Sequence, residues 1–479
     1  MPYEAQVDNA SPTRWDGSRH RHGRRMKVIL SAFNCEPGVG SEEAVGWGWV
    51  IGLAARCDKV LVVTRSSNQG RIDAWLTKNT LSNVEFLYFK PSYAKLFDVL
   101  GRFKWIPFYI AWHGGIMEPI RAAMSREKYD LVHHVTVVSM RFPLKLGELG
   151  IPFIYGPIAG GDEAPKVTWE GMSWRGRLGE SLRRLSNLWI ERSPGVAMTL
   201  ERSSAILVVS PETKSLVPSK MHPRTFQVLA ISYDEPLSRR IIAPRPSAKL
   251  RLLFAARCLD WKGLHLGLPA IALALESSGV DIHLTVIGEG PARTRWQHLG
   301  MRLGVTANIT WVDHQPRDIF IQTLPDFDAL FFPSLHDSGG MVVLESLANG
   351  LPVICLDAGG PGQLVDHTCG IKVRMESRDQ IVQDLAAALV RFSIDEDLRH
   401  SMAIGSVERV ARHFMLDKKV DAVMDHYPKI HLQNLPKAIE EDVQIPTLIR
   451  HSPLGRTSET AEGVHAEVMA DLEDLIARP

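Results

Sequence analysis

Between Asp337 and Glu345 the chain reads Asp-Ser-Gly-Gly-Met-Val-Val-Leu-Glu and then runs into Ser-Leu-Ala-Asn-Gly-Leu-Pro-Val-Ile-Cys. A loop bearing one carboxylate leads into a helix bearing a second, and then into a buried strand. That order suits a receptor for an anion and for sugar hydroxyls. The backbone N–H groups of Gly339, Gly340 and Met341 crown the helix start, where unpaired amides and the macrodipole favour phosphate. Ser338 lies in the same loop, and Glu345, one turn further in, is placed to accept hydrogen bonds from a vicinal diol such as a ribose. Two carboxylates at this spacing mean little alone, so the surrounding segments must carry the case.

Upstream, Phe254-Ala255-Ala256-Arg257-Cys258-Leu259-Asp260-Trp261-Lys262-Gly263 reads as a strand that delivers Arg257 and then Lys262 beyond its end. Two cations so placed can surround one diphosphate, the group that leaves carrying negative charge. Ile287-Gly288-Glu289-Gly290-Pro291 follows the next strand, with Gly288 and Gly290 forming a turn. Near the start, Asn34-Cys35-Glu36-Pro37-Gly38-Val39-Gly40-Ser41-Glu42-Glu43-Ala44 lacks the third glycine of a dinucleotide fingerprint, because Glu43 occupies that place. Gly38 and Gly40 instead make a flexible loop at a helix start, able to close over a diphosphate or sugar. A tight turn serving only packing is the alternative.

These loops need strands to position them. Met26–Phe33, Val60–Thr64, Val84–Phe89, Leu131–Val135, Phe153–Tyr155 and Ala205–Val209 are short apolar runs separated by amphipathic stretches, the pattern of parallel strands with crossover helices. The pattern restarts with Leu250–Ala256, Ile282–Ile287, Ile309–Val312, Ala329–Phe332 and Val353–Leu356. We therefore expect an α/β protein: a first domain over 26–240, a linker over 241–249, a second domain over 250–397, helices over 398–427 returning to the first domain, and a tail over 428–479. Ligands in doubly wound sheets bind at the carboxyl ends of the strands, so the expected site is the cleft between the two units.

Composition sets broad bounds. With 479 residues, 45% hydrophobic content and a net charge of +1, the chain is large enough for two cores and has no basic excess pointing to nucleic acid. Five cysteines without paired metal spacing suit a reducing cytosol. The apolar stretch near Trp105 to Met117 is too short to span a bilayer. Residues 1–25 carry Arg14, Arg19, Arg21, Arg24 and Arg25 with no apolar core of a secretory signal. They read as a disordered leader or an over-long start, with attraction to an anionic membrane as the alternative.

Taken together, the chain resembles the family 4 glycosyltransferases of GT-B fold, two Rossmann-like domains facing a cleft, over about Met26 to Tyr427. The family's R-x4-K pair matches Arg257 and Lys262, its G-x-G-P turn Gly288 and Gly290, and its E-x7-E carboxylates Asp337 and Glu345, the first shorter by a methylene. Cys35-Glu36-Pro37 and Tyr155-Gly156-Pro157-Ile158-Ala159-Gly160-Gly161-Asp162-Glu163 resemble a bacterial branch associated with surface polysaccharides. The resemblance implies retaining transfer of a hexose from a UDP- or GDP-sugar, without a required metal or other cofactor. It also implies a histidine beside the donor sugar near the end of the Leu131–Val135 strand. His133 and His134 are both available; alternation sends only one toward the cleft, and we assign His134. A packing histidine is the alternative for each.

The acceptor is less legible. Trp105–Tyr109, Trp174–Leu178, Arg183–Leu185 and Leu188–Ile190 mix aromatics with arginine. They fit either an anionic leaflet presenting a lipid-linked saccharide at the cytoplasmic face, or helices packed on the domain. Ala461–Ala477 has helical character. The function expected is a glycosyltransferase of polysaccharide or glycolipid assembly. A non-catalytic sugar-nucleotide-binding partner, or another GT-B enzyme such as a sugar-nucleotide epimerase, is the competing reading.

Overall fold

The computed structural model describes residues 25–40, 42–92, 105–237 and 249–427. Residues 1–24 of the leader expected over 1–25, nearly all of the 241–249 linker and the 428–479 tail with its helical segment lie outside the described residues. In the first domain, strands β1 (Lys27–Ser31), β2 (Lys59–Arg65), β3 (Val84–Phe89), β4 (Leu131–His134), β5 (Phe153–Ile158), β6 (Ala205–Val208) and β7 (Thr225–Gln227) form one sheet. Its helices are α1 (Glu42–Ala54), α2 (Gln69–Leu76), α3 (Trp105–Gly115), α4 (Met117–Arg126), α5 (Trp174–Arg192), α6 (Pro194–Arg202) and α7 (Pro211–Ser215). The second sheet is built of β8 (Lys249–Ala255), β9 (Asp281–Ile287), β10 (Ile309–Val312), β11 (Ala329–Phe332), β12 (Val353–Leu356) and β13 (Gly370–Val373). Helices α8 (Leu264–Ser278), α9 (Arg293–Arg302), α10 (Arg317–Thr323), α11 (Met341–Ala348), α12 (Gly359–Leu364), α13 (Arg378–Ile394) and α14 (Glu396–His413) surround it, and α15 (Leu416–Met424) follows.

Every strand pairing is parallel. The orders are β3-β2-β1-β4-β5-β6-β7 and β10-β9-β8-β11-β12-β13. Each order reverses once, between β1 and β4 and between β8 and β11, and the loops at such switch points open a crevice for a ligand. The expected strands all form. β7 and β13 escape a reading by apolar runs because one is three residues long and the other breaks its short apolar run with Lys372.

Apolar side chains cover both faces of each sheet. One correction to the expected layout follows from packing. Helix α14, expected to return to the first domain, stays on the second, where Gly405 lets it approach Thr368: a Cβ there would lie 2.0 Å from the Thr368 carbonyl. Among the described helices after α13, α15 is the one that crosses, seated on α1 where Gly52 faces Val420, with Arg56 Nε donating to Asp421 Oδ1 at 2.6 Å. The aromatic and arginine segments, which fit either a leaflet or packed helices, divide between the two environments. Tyr109 and Trp112 of α3 are buried in the first domain, and Trp169, Met172 and Ala164 join the core of the second. The Trp105–Tyr109 segment is thus partly interior, whereas Trp174, Leu178 and Trp189 stay exposed.

Candidate active site

At the β8–β11 switch point the two loops are zipped together. The Leu335 amide donates to the Trp261 carbonyl at 2.8 Å, and the Trp261 and His336 rings stack 5.6 Å apart. Gly263, at φ 73°, passes so close to Pro333 that a Cβ would lie 1.8 Å from its carbonyl oxygen. This contact brings Lys262, at the end of a short 3-10 turn, against Asp337: Nζ donates to Oδ2 at 2.6 Å. The other carboxylate oxygen of Asp337 accepts from the amides of Gly339 (3.2 Å) and Gly340 (3.0 Å). Burial pushes the Asp337 carboxyl up, and the Lys262 cation with the two amides outweighs it, holding the group below the usual carboxylate range.

Two amides expected to await a phosphate are thus engaged by Asp337. The side chain, one methylene shorter than Glu, folds back on its own loop, and its carboxylate stands where an anion would sit at the start of α11. Ser338 lines the cleft beside it, and Met341 opens the helix. Glu345 is buried one turn in, with Arg317 Nε donating to Oε1 at 2.5 Å and Arg317 Nη1 donating to Glu235 at 2.5 Å. Burial raises the Glu345 carboxyl despite that guanidinium.

Arg257 follows β8 by two residues and is half-buried. Gly288 and Gly290 hold their loop against the same segment. Their φ values are 139° and 148°, and Cβ atoms would lie 2.0 Å from the Ala256 carbonyl and 2.5 Å from that of Cys258. Both are required for the β9 loop to cross the β8 loop at this distance. Gly38 and Gly40 differ: both are exposed with open space around them, as a loop free to move requires.

The first domain meets this wall across a cavity of about 110 Å³ lined by Val138, Arg141, Ala159, Gly160, Asp162 and Arg183 on one side and Trp261, Lys262, His336, Asp337 and Ser338 on the other. Across the domains, His336 Nε2 lies 2.9 Å from Glu180 Oε1, and Ser173 Oγ donates to Asp260 Oδ2 at 2.5 Å. Burial would raise the Glu180 carboxyl, but His336 and Arg183 bring it down to about 2. Asp162, buried with Ser210 as hydroxyl donor, is pushed up by desolvation.

His134 is not brought to this cavity. Both histidines are buried, on opposite faces of the sheet. His133 Nε2 donates to the Gly156 carbonyl and Nδ1 accepts from the Tyr427 hydroxyl, each at 2.7 Å. His134 lies 3.2 Å from Ser31 Oγ and 3.3 Å from the Tyr109 hydroxyl. Desolvation lowers both imidazoles to about 3, so they stay neutral. Alternation separates the two, but α1 covers one face and α3 the other, so that even His134, the last residue of β4, meets packed side chains and not the cleft. The cleft residues not singled out in the sequence are Arg141, Asp162, Arg183 and His336. Asp162 stands in the Tyr155–Glu163 motif, whereas Arg183 sits in a stretch whose composition fits a membrane surface and a packed helix equally.

Residues 239–406 match the family model described as Glycosyl transferases group 1. The 2-deoxystreptamine glucosyltransferase of Streptomyces kanamyceticus is 22% identical over 266 residues, 51% of this chain and 68% of that protein. The D-inositol 3-phosphate glycosyltransferase of Corynebacterium diphtheriae is 29% identical over 166 residues, 33% of this chain and only 38% of that protein. Among solved structures, HepE of Anabaena in complex with UDP and glucose superposes with a TM-score of 0.51 at 14% identity, covering 84% of this chain and all of that one (100%). The structural likeness shows the GT-B fold, and the family model with the named relatives supports a glycosyltransferase.

Proposed function

We propose that this chain is a retaining hexosyltransferase that takes its sugar from a UDP- or GDP-sugar and passes it to a saccharide or lipid-linked saccharide, in polysaccharide or glycolipid assembly at the cytoplasmic face. The observation that carries the reading is the Lys262–Asp337 pair set over the Gly339 and Gly340 amides at a switch point facing the other domain. A cation, a helix start and a buried carboxylate at one crevice are what a departing diphosphate and its ribose require.

In this mechanism Arg257 and Lys262 take up the negative charge that accumulates as the bond between the anomeric carbon and the phosphate oxygen breaks, its electron pair leaving with the diphosphate. The acceptor hydroxyl oxygen bonds to that carbon on the same face, and its proton passes to a phosphate oxygen. The α11 amides and the two cations supply the positive charge, with no metal assigned a role. Asp337, already anionic beside Lys262, gives way to the diphosphate and turns toward the transferred sugar, while Glu345, fixed by Arg317 at Oε1, offers Oε2 to the ribose. A cleft of about 110 Å³ is smaller than a nucleotide-sized ligand occupies, so the domains part for entry. Support for a nucleotide donor comes from the shared fold of a neighbour in complex with UDP and glucose.

The test pairs calorimetry with UDP and GDP and a turnover screen of UDP- and GDP-hexoses. Arg257→Ala and Lys262→Ala should each cost about 2–4 kcal/mol of transition-state stabilisation. Near-normal turnover in both variants removes the diphosphate assignment.

A further inference from the structure

Helix α5 carries its polar side inward and its apolar side outward. The buried positions are mostly small or polar: Gly176, Gly179, Glu180, Ser186 and Asn187, with Ile190 the one large apolar residue. This side is committed, because Glu180 meets His336, and Ser173 at the N-cap meets Asp260, both in the second domain. The opposite side presents Trp174, Leu178 and Trp189 at 70%, 48% and 40% exposure, with Leu185 half-buried between them. At 100° per residue, positions i, i+4, i+11 and i+15 fall within about 60° of arc, a single stripe along a helix about 28 Å long.

A surface helix ordinarily buries its apolar stripe and wets its polar one. Here the fold fixes the reverse, since turning α5 over would take Glu180 from His336 and Arg183 from the cleft and put tryptophan there. The stripe is flanked by the exposed cations Arg175, Arg177 and Arg192, against the exposed carboxylate of Glu191. Tryptophan and leucine edged by arginine form an interfacial face, and the excess of positive charge complements an anionic lipid headgroup layer.

We propose that the outer face of α5 lies on an anionic bilayer surface, with Trp174, Leu178 and Trp189 entering the headgroup region and Arg175, Arg177 and Arg192 pairing with lipid phosphates. No helix of the described residues is long and apolar enough to cross a membrane, so the contact is peripheral. Because the inner face of the same helix forms a cleft wall, the surface that α5 lies on is brought within one helix diameter of the candidate active site.

The full chain is mixed with vesicles of phosphatidylcholine alone or with phosphatidylglycerol added, at low and high salt, and sedimented. Two double variants, Trp174→Ser with Trp189→Ser and Arg175→Glu with Arg177→Glu, are compared with a control, Ile394→Ser, at a position 73% exposed on the second domain. All substitutions are at exposed positions, and thermal melts verify folding. The expected result is recovery on anionic vesicles that falls with salt, drops about fivefold or more in each α5 variant and is unchanged in the control. Recovery that is absent, equal on both vesicle types, or undiminished in the α5 variants overturns the proposal; the last outcome would assign binding to the arginines of residues 1–25. Dimerisation in analytical ultracentrifugation that the tryptophan variants abolish, with no vesicle binding, also overturns it and gives the face to a second copy of the chain. None of these readouts depends on the donor or on turnover.

Discussion

Asp337 and Lys262 satisfy one another, and this has a direct consequence for nucleotide binding. An incoming diphosphate must compete with the carboxylate for the same ammonium group and the same two amides. Asp337→Asn keeps the size and removes the competing charge, so UDP or GDP alone should bind more tightly, by about 1–2 kcal/mol, while turnover with the sugar donor falls. Calorimetry set against initial rates checks this; weaker nucleotide binding would make Asp337 a direct phosphate-side support instead. The sequence shows these residues well because β8 and β11 are neighbours, so spacing after each strand translates into proximity. His133 and His134 were legible only as a pair. Nothing in Leu-Val-His-His tells that Trp49 will close over the first and Tyr109 over the second.

At the scale of elements, α5 departs most from the ordinary amphipathic pattern. Its periodicity shows an apolar stripe and a polar one, and the usual inference puts the first inside. What decides otherwise is a long-range contact, Glu180 with His336, separated by 156 residues and invisible to local pattern. Glu180→Gln preserves the shape and takes the charge from a buried hydrogen-bonded pair, so it should cost about 1–3 kcal/mol of stability. Hydrogen exchange should rise in the loops after β8 and β11, which α5 holds. A melt unchanged from the parent, with unchanged exchange in those loops, would show that the pair contributes nothing to domain contact. The Gly288 and Gly290 turn is the opposite case. Glycine spacing alone marks it, since the backbone crossing it permits admits no side chain.

For the molecule as a whole, the alternation of strands and helices was enough to give two doubly wound units, while the division of α14 and α15 between them was not. That division depends on Gly405 and on Arg56 with Asp421, single contacts on otherwise ordinary amphipathic helices. The docking of α15 carries a pH signature. Lys419 is buried beneath Trp49 and donates to the Ala230 carbonyl; desolvation lowers its ammonium from 10.5 to about 7. Between those values the unfolded chain holds a proton that the folded chain lacks, so this group adds stability as pH rises above 7. Lys419→Met should therefore flatten the rise between pH 7 and 9 by at most about 2–3 kcal/mol, read as the difference in urea midpoints between variant and parent. An identical pH slope in both would mean that Lys419 keeps its proton when folded.

The segment leaving the first domain and the one returning to it run side by side: the Tyr233 amide donates to the Phe414 carbonyl and the Leu416 amide to the Tyr233 carbonyl, each at 2.8 Å. Two chains bonded edge to edge behave mechanically as a ribbon. A ribbon flexes across its flat face and twists along its length, but sideways shear would stretch both bonds at once. A strap of this kind favours a swing of one half against the other across its flat face over a sideways slide between them.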